Sequence, residues 1–375
     1  MALPSRLTAK AALAAMLIAL ALTAGARPAH AAPGMELALQ DDAVLLQRLY
    51  YDRDRALDQI GGLGVTRVRS NLLWTSVLHG QARSRRMPKH LRYDWSAYDA
   101  LVVAAAQHGM AVQFNLTGPA PAFTTSNHRI GVLRPSAKRF GEFASAAAAH
   151  FRGHVNRYSI WNEPNFVGWL APRRAAPALY RHLYQAGWSA VKRQDGGAAV
   201  LIGETVPYAI PHRAMAPLAF LRKVTCVSYH WHRHGHCRPL VADGYAHHPY
   251  EFRHPPEAYY PGHNNATIGT LYRLTTALDK LGRAHALRQP NGLPLDVYLT
   301  EFGYFGSGRR GISDAKRGTY LAHAVYIARR NPRVRQFLQY LLVQPPRSMG
   351  NFTTGIVSMS GQPMWPYWTL GQAAR

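Results

Sequence analysis

Val155-Asn156-Arg157-Tyr158-Ser159-Ile160-Trp161-Asn162-Glu163-Pro164-Asn165 is the stretch whose reading decides the fold. Val155, Tyr158, Ile160 and Trp161 are β-branched or aromatic and favour a strand, and Pro164, which has no N–H for a sheet ladder, stops that strand at once. Glu163 therefore stands at a strand's C-terminal tip. Leu295-Asp296-Val297-Tyr298-Leu299-Thr300-Glu301-Phe302-Gly303-Tyr304 repeats the layout: an apolar run that ends in a carboxylate followed by a glycine. Two glutamates at the C-terminal ends of two separate strands suit an α/β fold, the parallel (β/α)8 TIM barrel, which gathers its functional groups on that face.

The segments around these two strands alternate as such a barrel requires. Residues 35–40 read as the first strand and 44–63 as the first helix, closed by Gly61, Gly62 and Gly64. In 65–71, Arg67 and Arg69 share one face and Val68 takes the other, which sends one arginine into the barrel mouth. Asp94 opens a helix that ends at Gly109; 111–116 is the third strand, with Asn115 near its tip, and 135–150 the third helix. Further helices are expected at 177–194, 213–222, 267–281, 314–329 and 366–373, and strands at 200–204 and 334–343. For the sixth strand, 243–250 is preferred over 224–230. No internal repeat, low-complexity linker or second domain is evident.

The chain has 375 residues, enough for one barrel of about 250 residues with its loops. Its start reads differently. Arg6 and Lys10 precede the apolar run 11–22, and Ala29-His30-Ala31 offers a small-x-small cleavage site, so residues 1–31 read as a secretory signal peptide and 32–375 as the barrel domain. The apolar run is shorter than the roughly 20 residues of a membrane span, so no transmembrane segment is expected after cleavage. The expected location is extracellular.

The formal net charge is +25; removing Arg6, Lys10 and Arg27 with the signal segment leaves three charges fewer, +22. Such a surface attracts polyanions: acidic exopolysaccharide, an anionic cell wall or nucleic acid. Arg far outnumbers Lys, so part of the excess is also explained by genomic base composition. No compact Lys/Arg block of the kind found in nucleic-acid tails occurs, so no specific nucleic-acid partner is expected. The two cysteines, Cys226 and Cys237, fit a short disulfide loop in an oxidising compartment. His230, His232, His234 and His236 leave zinc as the other reading, without a recognisable ligand spacing. Asn265 and Asn351 begin Asn-x-Thr triplets, glycan acceptors only in a eukaryotic secretory pathway.

The elements Asn162-Glu163-Pro164 and Thr300-Glu301-Phe302-Gly303 resemble clan A of the retaining glycoside hydrolases, the cellulase-like barrel enzymes around families 5 and 39. His248-Pro249-Tyr250 resembles the His-x-Tyr often found after the clan's sixth strand. The resemblance implies a carbohydrate substrate and double displacement without a cofactor or metal. Glu163 is then the acid/base, kept protonated by its carboxylate neighbour, and Glu301 the ionised nucleophile. It further implies that Asn162 binds the sugar's 2-hydroxyl; from strand position, Tyr250 is expected to donate to the nucleophile and His248 to hold a sugar hydroxyl or the acid/base. Arg69 would keep Glu301 ionised, and Trp74, Asn115 and Tyr304 would form subsite walls. One departure stands out: the eighth strand's tip offers Gln339, Tyr340 and Gln344 where many clan members place a tryptophan, with Trp365 or Trp368 as substitutes. The rival expectations are a non-catalytic carbohydrate-binding protein on the same scaffold and an extracellular polyanion binder acting through charge alone.

Overall fold

A computed structural model describes residues 34–350 and 352–374. The expected signal segment and Asn351 lie outside the described residues. Eight parallel strands close into a barrel: β1 (Glu36–Gln40), β2 (Arg67–Leu73), β3 (Ala111–Thr117), β4 (Val155–Ile160), β5 (Ala199–Thr205), β6 (Gly244–His247), β7 (Val297–Phe302) and β8 (Val334–Tyr340). Each pairs with its sequence neighbour, and β1 pairs in parallel with both β2 and β8. The outer ring is α1 (Arg53–Gly62), α2 (Ser96–Gln107), α3 (Ala137–His150), α4 (Ala176–Gln194), α5 (Pro217–Thr225), α6 (Tyr272–Arg283), α7 (Asp314–Arg329) and α8 (Trp365–Ala374). The architecture is a (β/α)8 barrel, as the alternation predicts. No helix among the described residues is long and apolar enough to cross a membrane.

Local chemistry moves several boundaries. The first expected helix divides into a one-turn helix, Asp42–Leu45, and α1, because the run holds two caps: Asp41 accepts from the Val44 N–H at 3.3 Å and Asp52 from the Arg55 N–H at 2.8 Å. The fifth helix starts at Pro217 and not at 213, since proline pushes the preceding Ala216 out of the helical region (ψ 139°). The rival sixth strand at 224–230 is the end of α5 and the loop after it. A short parallel pair, Leu240–Val241 with Leu287–Arg288, was not expected.

The barrel interior is not filled by aliphatic layers alone, as is common in this fold. At the N-terminal end of the strands, Glu36 pairs with Arg67 at 2.9 Å and with Arg157 at 2.5 Å, and Arg157 also donates to Gln336 at 2.7 Å. Both arginines of β2 therefore point inward, Arg67 to this floor and Arg69 to the mouth.

The pairing of β5 with β6 slips between Gly203 and Thr205, a bulge that leaves Glu204 at φ 51°. Gly203 itself has φ 122°, and a Cβ there would collide with the Ala246 carbonyl oxygen and reach the Tyr245 ring at 3.0 Å. Gly203→Ala is expected to lower the unfolding free energy by about 1–3 kcal/mol. The check is the urea midpoint; an unchanged midpoint would show that the bulge does not depend on glycine.

Candidate active site

The turn after β4 aims Glu163. Trp161 and Glu163 sit at φ 64° and 39°, conformations that cost non-glycine residues of order 1–3 kcal/mol each. Their surroundings hold them there. The Trp161 N–H donates to the Leu116 carbonyl at 2.8 Å, its indole N–H to the Trp169 carbonyl at 2.8 Å, and the Asn162 N–H to the Thr117 hydroxyl at 2.9 Å. Pro164 follows outside the ladder, and the Glu163 side chain reaches the barrel mouth partly exposed.

Opposite, the end of β7 presents Glu301, 6% exposed. Arg69 donates to its Oε1 at 3.1 Å and the Tyr250 hydroxyl to its Oε2 at 3.1 Å. Arg69 is buried and also donates to Asn162 Oδ1 at 3.2 Å, contacts Glu204 Oε2 at 3.2 Å, and bonds Gln40. Burial opposes the charge of Arg69, but Glu204, Glu301 and Asp42 outweigh it and hold the guanidinium above its usual value. Burial pushes the Glu301 carboxyl up from its usual value; His248 and Arg69 pull it down, and the charges of Glu163 and Glu204 add to the rise. Burial, then the charge of Glu301, keeps the Tyr250 phenol protonated and thus a donor.

His248 joins the carboxylates. Its Nδ1 lies 3.1 Å from Glu163 Oε1 and 3.6 Å from Glu301 Oε2, and its Nε2 lies 2.7 Å from Glu204 Oε2. Both ring nitrogens face carboxylates, the arrangement of a doubly protonated imidazolium. Burial alone would strip that proton; Glu301, Glu163 and Glu204 outweigh it and raise the pKa to about 10. Glu204 is fully buried; burial would raise its carboxyl, but Arg69 and His248 pull it down to about 2. Ser159 also donates to it, and Thr300 donates at 2.6 Å. One ligand atom from each of Glu163, His248 and Glu301 falls within 4.8 Å of the others.

Glu163, Glu301, Arg69, Asn162, His248 and Tyr250 thus converge. Asn115 belongs beneath them: it is fully buried at the tip of β3 and donates its amide N–H to Asn71 Oδ1 at 3.0 Å and to Asn162 Oδ1 at 3.1 Å. It braces Asn162 and is no subsite wall. Trp74 is 1% exposed, stacked on Phe143 at 5.5 Å on the helix side of the barrel. Tyr304 is 2% exposed, packed on Phe302 and Tyr320, with its hydroxyl on the His254 carbonyl at 3.1 Å. Neither shows a ring to a ligand, because residues just past a strand tip turn as readily toward the helices as toward the mouth. Trp365 and Trp368 lie on α8, which packs against α7 on the outside, and cannot substitute at the eighth strand's tip. Phe352 stands there instead, 5.7 Å from Tyr250 and 5.1 Å from Tyr340. Cys226 and Cys237 form a disulfide.

Glu204 is the residue that sequence reasoning missed. Leu201-Ile202-Gly203-Glu204-Thr205 is an apolar run ending in a carboxylate, the same signal that singled out Glu163 and Glu301. Gln40 and Ser159 carried no signal of their own, and Thr300 stood in a quoted motif without a role assigned to it.

No protein-family model and no curated protein sequence matches the chain. Solved structures do match in shape. A family 39 glycoside hydrolase from the gut symbiont Bacteroides cellulosilyticus WH2 is 19% identical with a TM-score of 0.65, covering 91% of this chain and 63% of its own. A monomeric beta-xylosidase from Caulobacter crescentus CB15 is 16% identical with a TM-score of 0.59, covering 91% of this chain and 69% of its own. GH5_18 from Streptomyces cattleya is 16% identical with a TM-score of 0.61, over 92% and 80%. The fold shared with these structures is the (β/α)8 barrel. At these identities the likeness establishes the fold, and the chain spans under two thirds of the family 39 structure's length.

The raised His248 predicts a pH signature in stability. A folded pKa of about 10 against an ordinary 6.5 adds stability that is complete below about pH 6.5 and lost as pH climbs through about 10. The melting-temperature gap between the wild type and His248→Asn should therefore be widest at or below pH 6.5 and close toward pH 10. A gap that widens with pH would mean that the folded protein keeps His248 neutral.

Proposed function

We propose that this protein is an exported retaining glycoside hydrolase that cleaves O-glycosidic bonds of an oligosaccharide or polysaccharide by double displacement. One observation carries the reading: carboxylate oxygens of Glu163 and Glu301 approach within 4.8 Å across the barrel mouth. Retaining enzymes hold their two carboxyl groups about 5–5.5 Å apart, whereas inverting ones need about 6.5–9.5 Å to seat a water. Glu301 attacks the anomeric carbon while Glu163 gives its proton to the departing oxygen. Glu163 then takes a proton from water, which attacks the same carbon and releases Glu301, so the configuration is retained.

The other groups support these two steps. Tyr250 and Arg69 hold Glu301 in line and receive it again as a carboxylate when the intermediate breaks. His248, fixed as a cation by Glu204, keeps a donor between the two glutamates. Asn162 is positioned for a sugar 2-hydroxyl beside its own backbone anchor.

The reading extends to an acidic glycan bearing uronate or phosphate groups. The Arg310 guanidinium rests 4.5 Å over the Phe252 ring, which stacks on Tyr250 at 4.9 Å, so a cation without a carboxylate partner among the described residues stands beside the nucleophile's support. Export fits the signal-like residues 1–31 together with the Cys226–Cys237 disulfide.

The same three side chains also have the spacing of a divalent-cation site. His248 argues against it, since both its nitrogens are occupied by carboxylates and a ligand histidine needs a free lone pair.

Incubation with a panel of activated 2-fluoro glycosides should give a sugar-mass adduct that maps to Glu301 and is missing in Glu301→Gln. With a turned-over aryl glycoside, Glu163→Gln should lose about 10²–10⁴-fold in kcat, the range of general acid catalysis, and a chelator should leave the rate unchanged. Inversion of the product's anomeric configuration, or undiminished activity in Glu301→Gln, would overturn the proposal. Glycan binding without turnover that survives both substitutions would favour the non-catalytic reading.

Truncating the nucleophile's support tests the geometry separately. Tyr250→Phe should lower kcat by roughly tenfold, the worth of one charged hydrogen bond, with the larger effect on the step that releases Glu301. Pre-steady-state burst kinetics would show the intermediate accumulating; equal slowing of both steps would place Tyr250 outside the chemistry.

A further inference from the structure

On the outside of the barrel, α5, α6 and the loop braced by the Cys226–Cys237 disulfide enclose a cavity of about 440 Å³, within the roughly 300–1,000 Å³ of small-ligand sites. Its residues are distinct from those at the strand tips. Three cations reach it, Arg222, Arg273 and Lys280, and its lining contains no Asp or Glu.

Neutral partners fix two of these cations. Arg222 donates to the Asn264 side chain at 2.8 Å, and Arg273 to the carbonyls of Tyr260, Gly262 and Asn265 at 2.8, 3.0 and 3.3 Å. Among the described residues none of the three meets a carboxylate within ion-pair distance, so their charge is left uncompensated, and that of the two arginines is held in place. Burial pulls the Arg222 guanidinium below its usual value, a cost that a bound anion would offset. Aromatic rings stand among them. Arg222 and Lys280 lie 5.2 and 5.6 Å over Trp231, while Tyr229 and Tyr272 are 67% and 58% exposed.

We propose that this cavity is a second carbohydrate site, lined by none of the residues around Glu163 and Glu301, that holds a carboxylate-bearing sugar of a polysaccharide. The inference rests on the glycosidase reading for its choice of a glycan. Arg222 and Arg273 lie over Tyr229 and Tyr272 at 5.3 and 5.8 Å, so the opposite face of each ring takes the C–H side of a pyranose, and the cations beside them take its carboxylate. The pocket is confined to a few sugar rings in size, where a nucleic acid would need a long groove that tracks its backbone. Anchoring the polymer there would keep the chain on the protein between cleavage events and raise its effective concentration.

Calorimetric titration of the Glu301→Gln protein with an oligogalacturonide, its carboxyl-reduced neutral counterpart and a single-stranded DNA oligonucleotide tests the proposal. The acidic sugar is expected to bind most tightly, with Lys280→Glu and Tyr229→Ala each weakening it about tenfold, as for the loss of one charge-assisted or stacking contact. In the otherwise unaltered protein, Lys280→Glu should turn over a small aryl glycoside at the original rate. Equal binding of the acidic and neutral sugars, affinity that survives both substitutions, or DNA bound as tightly as the sugar would each overturn the proposal, the last in favour of attraction by charge alone. Residual turnover by Glu301→Gln would instead count against the catalytic reading, and the comparison of the three ligands would still decide the fate of the outer cavity.

Discussion

The buried guanidinium of Arg69 is the contact on which the C-terminal end of the barrel depends. It bonds Gln40 from β1 and Glu301 from β7, and meets Asn162 beyond β4 and Glu204 on β5, so one side chain ties together elements all around the mouth. A cation can be buried there only because two carboxylates share it, and each carboxylate tolerates burial only because the cation is present. Removing one member of such a set leaves an uncompensated buried charge, at a cost of about 3–5 kcal/mol. The site's precision and its fragility have the same origin.

Two kinds of local strain surround this network, at the turn after β4 and at the bulge in β5. Each puts a glutamate at positive φ, Glu163 at 39° and Glu204 at 51°. Regular strands would alternate their side chains between mouth and helices; these irregular turns instead direct two carboxylates to the same histidine from different strands. His248 then serves both, with one ring nitrogen on Glu163 and the other on Glu204. Fixed charges already in place suit the proposed double displacement, in which charge leaves an attacking carboxylate and builds on the sugar ring and a departing oxygen, because little reorganisation is left for the moment of reaction.

The overall charge and the outer cavity belong to a different scale. A net charge of +25 acts over the whole surface and chooses only among polyanions. The cavity between α5 and α6 supplies geometry, with guanidinium groups held by neutral acceptors and lying over half-exposed tyrosine rings. The disulfide that the two cysteines suggested braces the loop forming one of its walls, while the histidines of that loop do not converge with other ligands among the described residues.

What the sequence by itself determined is periodic and local. Strand and helix alternation, stops at Pro164 and Gly303, and carboxylates at strand tips were enough to define the barrel and to name Glu163 and Glu301, because each signal is written within about ten residues of chain. Arg69, Asn162, His248 and Tyr250 were legible too, through strand phase or motif. The tertiary structure alone decided the rest. Trp74 and Tyr304 stand at strand ends like their neighbours, yet turn into the helix layer, since the path of the chain beyond the last ladder bond is set by packing partners far away in sequence. Glu204 carried the same local mark as the other two glutamates, but its meaning lay in contacts with Arg69, Ser159, His248 and Thr300, drawn from four other parts of the chain. Barrel closure brings those residues within hydrogen-bond reach, and no spacing along the sequence encodes a distance across the barrel.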